Sequence, residues 1–326
     1  MPSDRLPTYQ ELLARSDAPA GSSWGLFGPG AEGDLGTVSL LDSQAVLRGI
    51  ACVVTGERFG LNYPIDAFDP PMLPSRPAAT LTVQSRHPEH RDDVIDGFNP
   101  QSSSQLDGLT HRRHEHHGFY NGAGDGDVDL PLARLGVQAW AERGIVGRAI
   151  VIDLQSAMSD GTVDWHSTGP TIEPEDLEGA MALQDVAVEP GDIVILHTGW
   201  SRWYLDELNE HGRADVRARG RYTGLAQHRR VLEWMWDHHV AVIGTDTYAV
   251  EAMPPVTDSD FTTLNDGGMM HQELLALLGL ALGELWRLDE LVRACQRDGR
   301  WSCLLVSAPL NVVGGVSTPA NALAIR

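Results

Sequence analysis

Apolar residues fall into regular patterns mainly in the second half of the chain. Pro131 and Gly144 bracket a predicted helix over 131–143, because proline is tolerated in a first helical turn and glycine stops one. Residues 150–154 read as a buried strand, 174–186 as a helix and 192–197 as a strand. Over 225–239, Leu225, Leu232, Met235, Trp236 and His239 keep near one face, the spacing of an amphipathic helix. Residues 240–246 and 301–308 are further short apolar strands. Strands alternating with helices predict an α/β protein whose sheet is covered and at least partly parallel. The first half is different. In 1–45, Gly21, Gly25, Gly28, Gly30, Gly33 and Gly36 interrupt regular structure. Residues 66–125 are rich in Pro, Gly, Ser, Asp and His with little periodicity, and such a long segment within a compact domain is functional or disordered.

Composition narrows the class. The chain has 326 residues, 42% hydrophobic and 21% charged, which suits a globular protein with a sizeable core. No repeat, low-complexity tract or linker divides it. The net charge of −21 argues against nucleic acid and anionic membranes as partners, since both attract positive surfaces. An anionic small-molecule substrate would need local cations set against that field. No apolar run approaches a membrane span. Residues 1–14 lack the basic-then-apolar layout of a signal peptide. With only Cys52, Cys295 and Cys303, no disulfide framework or thiolate metal site is expected. The expected location is the cytoplasm.

The densest chemistry lies in Asp107-Gly-Leu-Thr-His111-Arg-Arg113-His114-Glu-His116-His117. Four of the thirteen histidines fall within seven residues, beside a carboxylate. Imidazole and carboxylate are common ligands of zinc, manganese and related ions. The same stretch also reads as a solvated polar loop. Asp107 and His111 would share a face on a helical turn, and a tight loop could also converge them. Asp246, His197 and Arg202 sit at predicted strand ends, where sites gather in open sheets and where capping residues are also common. Trp234 and Trp236 read as core. The glycine pairs 267–268 and 314–315 lack the context of a phosphate loop, and no serine nucleophile is expected.

This stretch resembles the signature His-x-Gly-Thr-His-x-Asp-x-Pro-x-His of the cyclase family that includes bacterial kynurenine formamidase and isatin hydrolase. Without gaps, Thr-His falls on Thr110-His111, the first His on Asp107, the Asp on Arg113 and the last His on His117. His271-Gln-Glu-Leu-Leu followed by Gly-Glu284-Leu resembles the family's C-terminal His, Leu-Leu and Glu pattern. The segments 195–200, 243–247, 117–122 and 308–316 also look like family segments. The resemblance spans roughly residues 20–326 and is to a longer, divergent bacterial branch.

The resemblance implies one cyclase-family domain over 1–326, with 1–45 as an irregular extension. It implies an α/β fold of the swivelling β/β/α type, with a mixed β core and flanking helices. It also implies a homodimer or higher homo-oligomer. The implied activity is metal-dependent hydrolysis of an amide, lactam or lactone carbonyl in a small, carboxylate-bearing substrate. One zinc or manganese ion is expected on Asp107, His111 and His271, with His117 and Glu284 as catalytic groups. Arg113 stands where the family has a carboxylate. It cannot ligate a metal, so a single ion is expected, with the guanidinium at its edge gripping a substrate carboxylate. A polyketide-type cyclase or dehydratase, and a non-catalytic binding protein on the same scaffold, are the alternatives. Leu280, Leu282 and Glu284 alternate like a strand, which would turn Glu284 inward.

Overall fold

The computed structural model describes residues 6–158, 165–261 and 267–326. The first five residues of the glycine-rich N-terminal stretch lie outside the described residues. The strands are β1 (Arg58–Gly60), β2 (Thr80–His87), β3 (His90–Asp96), β4 (Gln105–Asp107), β5 (Ile145–Asp153), β6 (Thr171–Ile172), β7 (Ile193–His197), β8 (Gly224–Leu225), β9 (Val242–Thr245), β10 (Ala281–Glu284), β11 (Ser302–Ser307), β12 (Ser317–Pro319) and β13 (Ala322–Ile325). Nine of them form one mixed sheet in the order β1-β13-β11-β5-β7-β9-β10-β4-β12. Its centre, β5-β7-β9-β10, is parallel, and both flanks are antiparallel.

The central strands are short apolar runs because both sheet faces are covered. Every residue of β7, Ile-Val-Ile-Leu-His, is buried, and truncating a leucine or isoleucine there should cost about 2–5 kcal/mol. The helix Ser43–Ala51 lies against β5, where a Cβ on Gly49 would come within 2.8 Å of the Gly147 backbone. The helix Pro174–Gln184 starts with proline in its first turn. The helix Asp289–Asp298 buries Leu291, Val292, Ala294 and Cys295 and ends at Gly299 in the left-handed region. A smaller apolar cluster gathers Phe68, Met72, Trp200, Trp203, Tyr204, Tyr222 and Leu285. Cys295 and Cys303 are buried, free thiols. Among the described residues, no helix is long and apolar enough to cross a membrane.

Three sequence expectations change. The helix predicted over 131–143 shrinks to Gln138–Arg143, because Ala133 and Leu135 both take positive φ and break the first turns. Gly144 does end it, with φ 75°. The helix predicted from Leu225 begins at Arg229, since Leu225 instead pairs in β8 with β6. Within 66–125, β2 and β3 form an antiparallel hairpin. It has no buried residue, and only Gln84 is less than exposed.

Candidate functional site

The site begins with β4, a three-residue strand between β10 and β12. Its register sets Asp107 opposite Leu282 on one side and Ser317 on the other. Glu284, the last residue of β10, lies opposite Gln105. Alternation along the strands brings Asp107 and Glu284 to one face. On the other face Trp286 covers the paired glycines Gly244 and Gly283. A Cβ at either would stand 2.7–2.8 Å from the indole, so no larger residue fits there. The Trp286 indole N–H donates to the Gln105 carbonyl at 2.9 Å and fixes that packing. The inward-turned Glu284 expected from the Leu280, Leu282 alternation is what β10 shows.

His271 enters from a helical turn whose following residues, Glu273–Leu277, form one π-helical turn. Such turns are frequent at functional sites. Nδ1 of His271 pairs closely with Oε1 of Glu251, and Nε2 stands 3.5 Å from Oε1 of Glu284. The other Glu251 oxygen accepts the Met270 amide at 2.8 Å. Burial works against a charged His271, but Glu251 and Glu284 outweigh it and raise the imidazole to about 10. Glu284 is held in turn by Gln105, whose Nε2 donates to Oε2 at 2.6 Å.

Asp107, His271 and Glu284 are all buried, and one ligand atom of each lies within 4.8 Å of the others. Their chemistry fits a divalent cation. Oδ2 of Asp107 is buried with no hydrogen-bond partner, a costly state for a carboxylate oxygen unless a cation meets it. Three buried carboxylates, Asp107, Glu251 and Glu284, converge on the single imidazole of His271. The contact of 3.5 Å between His271 and Glu284 is also close to the ligand–ligand edge of about 3.4 Å that tetrahedral bonds near 2.1 Å create.

His111 stands at the rim of this group. Its Nε2 is 3.9 Å from Oδ2 of Asp107, and its ring centroid is 6.3 Å from that of His271. Burial, more than any neighbour, lowers its pKa; Asp107 acts in the opposite direction. The Gln101 amide lies between the two residues, donating to Oδ1 of Asp107 at 2.6 Å and standing 3.0 Å from Nδ1 of His111. Tyr248 is close by. Burial, followed by Glu284, pushes its phenol up to about 12. Ala249 and Val250, which lead from Tyr248 to Glu251, both have positive φ. A β-branched residue rarely adopts that conformation outside strained, over-determined sites.

Two predicted residues lie outside this group. His117 is exposed. Its ring stacks on His114 at 4.6 Å and meets Trp24 edge-on at 6.3 Å. Burial lowers its pKa, with His114 and His116 adding to the effect. Arg113 was expected at the edge of the ion, but its guanidinium pairs with Asp125 at 3.2 Å while over half of the side chain is exposed. The acidic surface offers that arginine a nearer counter-charge, so its side chain turns outward.

Glu251, Gln101 and Gln105 were missed. Glu251 offered a signal, as a lone acid in the apolar run Tyr248-Ala-Val-Glu251-Ala-Met. The pattern Gly21-Ser-Ser23-Trp-Gly25, with the spacing of a serine-hydrolase nucleophile turn, was also passed over. Ser23 is fully buried. Its hydroxyl donates to the Leu278 carbonyl at 2.9 Å and meets the Tyr120 hydroxyl at 3.0 Å, so it is a packing group.

A second carboxylate–histidine group closes the ends of β5, β7 and β9. His197 Nδ1 is 2.9 Å from Asp153, and Nε2 is 3.6 Å from Asp289. Asp246 accepts from the Thr198 amide at 2.9 Å, the Thr198 hydroxyl at 2.8 Å and the Gly199 amide at 2.6 Å. Burial opposes charge on both partners of the pair, yet their mutual hydrogen bond prevails. Asp153 is held at about 2 and His197 raised to about 10.

A family model described as Putative cyclase matches residues 60–252. Among solved structures, one described as a novel cyclase is 27% identical with a TM-score of 0.79, covering 94% of this chain and 99% of that one. Isatin hydrolase A from Labrenzia aggregata, bound to benzyl benzoate, is 16% identical with a TM-score of 0.56, covering 86% and 97%. An isatin hydrolase bound to the product analogue thioisatinate is 15% identical with a TM-score of 0.54, covering 87% and 98%. The mixed sheet with flanking helices is thus the fold of these proteins. No curated protein matches.

Proposed function

This chain belongs to the cyclase family, and from that premise we propose that it is a metal-dependent hydrolase that adds water across an amide, lactam or lactone carbonyl of a small substrate. The observation that carries the reading is the buried meeting of Asp107, His271 and Glu284, with one Asp107 oxygen left without a partner. The isatin hydrolases that share the fold make hydrolysis the favoured chemistry.

Asp107 and Glu284 would supply carboxylate oxygens and His271 an imidazole nitrogen, a set suited to zinc or manganese. When bound, a divalent ion supplies Lewis acidity toward a carbonyl oxygen and raises the acidity of water. Glu251 would keep the proton on Nδ1 of His271, and a bound ion would take the place of the proton on Nε2, which faces Glu284. Gln105 keeps Glu284 turned inward, and Gln101 steadies Asp107 and His111 together. His111, at the rim, would complete the ligand set. The acyl C–N or C–O bond breaks, hydroxyl adds to the carbonyl carbon, and a proton passes to the leaving nitrogen or oxygen.

Elemental analysis of protein purified without chelator, followed by N-formyl, lactam and lactone substrates, tests the reading. We expect one ion per chain and hydrolysis of at least one substrate class. A folded Asp107→Ala/His271→Ala variant with undiminished metal content would overturn it. So would a metal-loaded protein that hydrolyses nothing in the panel.

A further inference from the structure

Tyr248 stands near the candidate metal centre and has no part in the chemistry proposed above. Its position follows from the sheet. β9 and β10 are parallel, with Gly244 opposite Gly283. Beyond that register the two chains stay paired: the Trp286 N–H donates to the Thr245 carbonyl and the Leu285 N–H to the Thr247 carbonyl, both at 3.0 Å. Tyr248 therefore leaves β9 at the same end of the sheet at which β10 presents Glu284. That is the carboxyl end of both strands, where open sheets hold their ligands.

The turn that follows is strained. Ala249 and Val250 take φ of 75° and 56° in succession, and the Glu251 amide folds back onto the Ala249 carbonyl. Such strain persists where the surroundings over-determine it, commonly at functional sites. Here it delivers two side chains to one place. Glu251 reaches His271, and Tyr248 stands among Glu284, Arg76, Asp107 and Arg112, the charges that act on its phenol. The ring is held in place. Tyr222 meets it edge-on at 5.2 Å and is itself packed edge-on against Trp200 at 5.7 Å. The hydroxyl is left over. Among the described residues it meets no hydrogen-bond partner, and it opens to water instead of being sealed in the core. A largely buried tyrosine usually finds its hydroxyl a partner. Burial, followed by Glu284, pushes this phenol up to about 12, so at neutral pH it is a hydrogen-bond donor and not a base.

We propose that the Tyr248 hydroxyl is a catalytic donor, which hydrogen-bonds the carbonyl oxygen of the substrate as negative charge gathers there. The proposal deepens the hydrolase reading and rests on it. No further reactant is needed. The oxygen of water bonds to the carbonyl carbon, and the C=O π pair moves onto the carbonyl oxygen. Tyr248 steadies that oxygen with its O–H and keeps its proton. The pair then returns to re-form C=O, the C–N or C–O bond breaks, and the leaving atom takes the proton that water gives up. A donor fixed before the charge develops costs no reorganisation when it does. The planar carbonyl oxygen of bound substrate carries less charge than the tetrahedral one, so the effect belongs in kcat and not in KM.

Tyr248→Phe, made in the full chain and loaded with metal, removes only the hydroxyl. Metal content, far-UV circular dichroism and melting temperature should match wild type, because that hydroxyl has no protein partner to lose. On whichever of formanilide, isatin and dihydrocoumarin the wild type hydrolyses, kcat should fall about 10²–10³-fold while KM changes by less than about 3-fold. Phenylphosphonate, a tetrahedral anion, should bind the variant about 10–100-fold more weakly in isothermal titration calorimetry. The proposal is overturned by a kcat within about 3-fold of wild type, by a loss confined to KM, or by an unchanged phosphonate affinity. A wild type that binds no phosphonate overturns it too. A wild type that hydrolyses none of the three overturns the hydrolase reading and the catalytic role with it, while phosphonate binding still reports whether the phenol faces the metal group.

Discussion

Two buried histidines, His271 and His197, each stand between two carboxylates, and the two arrangements behave differently. His271 lies between Glu251 and Glu284, with Asp107 adding a further buried carboxylate that keeps one oxygen unpartnered. His197 lies between Asp153 and Asp289, and the additional carboxylate there, Asp246, is occupied by three donors. The first group has more negative charge and lone pairs than the protein itself satisfies, the condition of a cation site. In the second, Asp153 and Asp246 have their donors and Asp289 faces His197 Nε2 at 3.6 Å, and the group ties together the ends of β5, β7 and β9 and the start of the helix Asp289–Asp298. A buried histidine with acidic neighbours does not by itself mark a site. What distinguishes the two is whether the surrounding carboxylates are already satisfied.

Substitution at each group should separate the two most sharply. Asp107→Ala/His271→Ala should remove the bound metal and lower hydrolysis by about 10²–10³-fold or more, read by elemental analysis and steady-state kinetics. His197→Ala should leave metal content intact but destabilise the fold by about 3–5 kcal/mol, because Asp153 and Asp289 lose their buried partner. Urea titration would measure it. Metal loss in the second variant, or an undiminished metal content in the first, would erase the distinction.

Glu251→Gln tests the support beneath the first histidine. An amide can still accept a hydrogen bond, but it orients the imidazole less strongly, and metal affinity should fall by about 10–100-fold in a folded protein. Competition with a chelating dye would report it.

A smaller effect sharpens the second group. The pKa of His197 is raised from 6.5 to about 10, so its contribution is complete below about pH 6.5 and fades as pH rises toward 10. The pKa of Asp153 is lowered from 3.8 to about 2, so its contribution holds above about pH 4 and fades below it. The stability gap between wild type and His197→Gln should therefore be widest between about pH 4 and 6.5 and narrow on either side. A gap that widens toward pH 10 would contradict the ionic pairing. The smallest effect belongs to Arg113. Its exposed pair with Asp125 predicts that Arg113→Ala shifts stability by less than about 0.5 kcal/mol.

The sequence carried the central parallel strands, because strands covered on both faces must be apolar runs. The family resemblance pointed to Asp107 and His271 as ligands and Glu284 as a catalytic group, and the fold brings ligand atoms of these three within 4.8 Å of one another. The alternation ending at Glu284 stands in the residues, but only the family pattern singles Glu284 out. Glu251 showed only as a lone acid in an apolar run, and Gln101 and Gln105 gave no signal, since residues that orient a ligand need only reach it and keep no spacing from it. The hairpin was hidden because Leu81 and Val83 alternate with polar residues for only a few positions before charged residues take over. Arg113 was misplaced because chain position says where a side chain begins and leaves its direction to the nearest counter-charge, here Asp125.

The closeness of the hairpin's two ends has a consequence for how the gene can vary. A Cβ on Gly97 would lie 2.9 Å from the Ala78 carbonyl oxygen, so the chain leaves and re-enters the body at nearly one point. A segment joined in this way can lengthen, shorten or be exchanged for another module without altering the order of the nine-stranded sheet. The stretch from 80 to 96 is where length differences between relatives should accumulate, and where a reporter peptide or affinity tag could be inserted with β4 and its neighbours left in place.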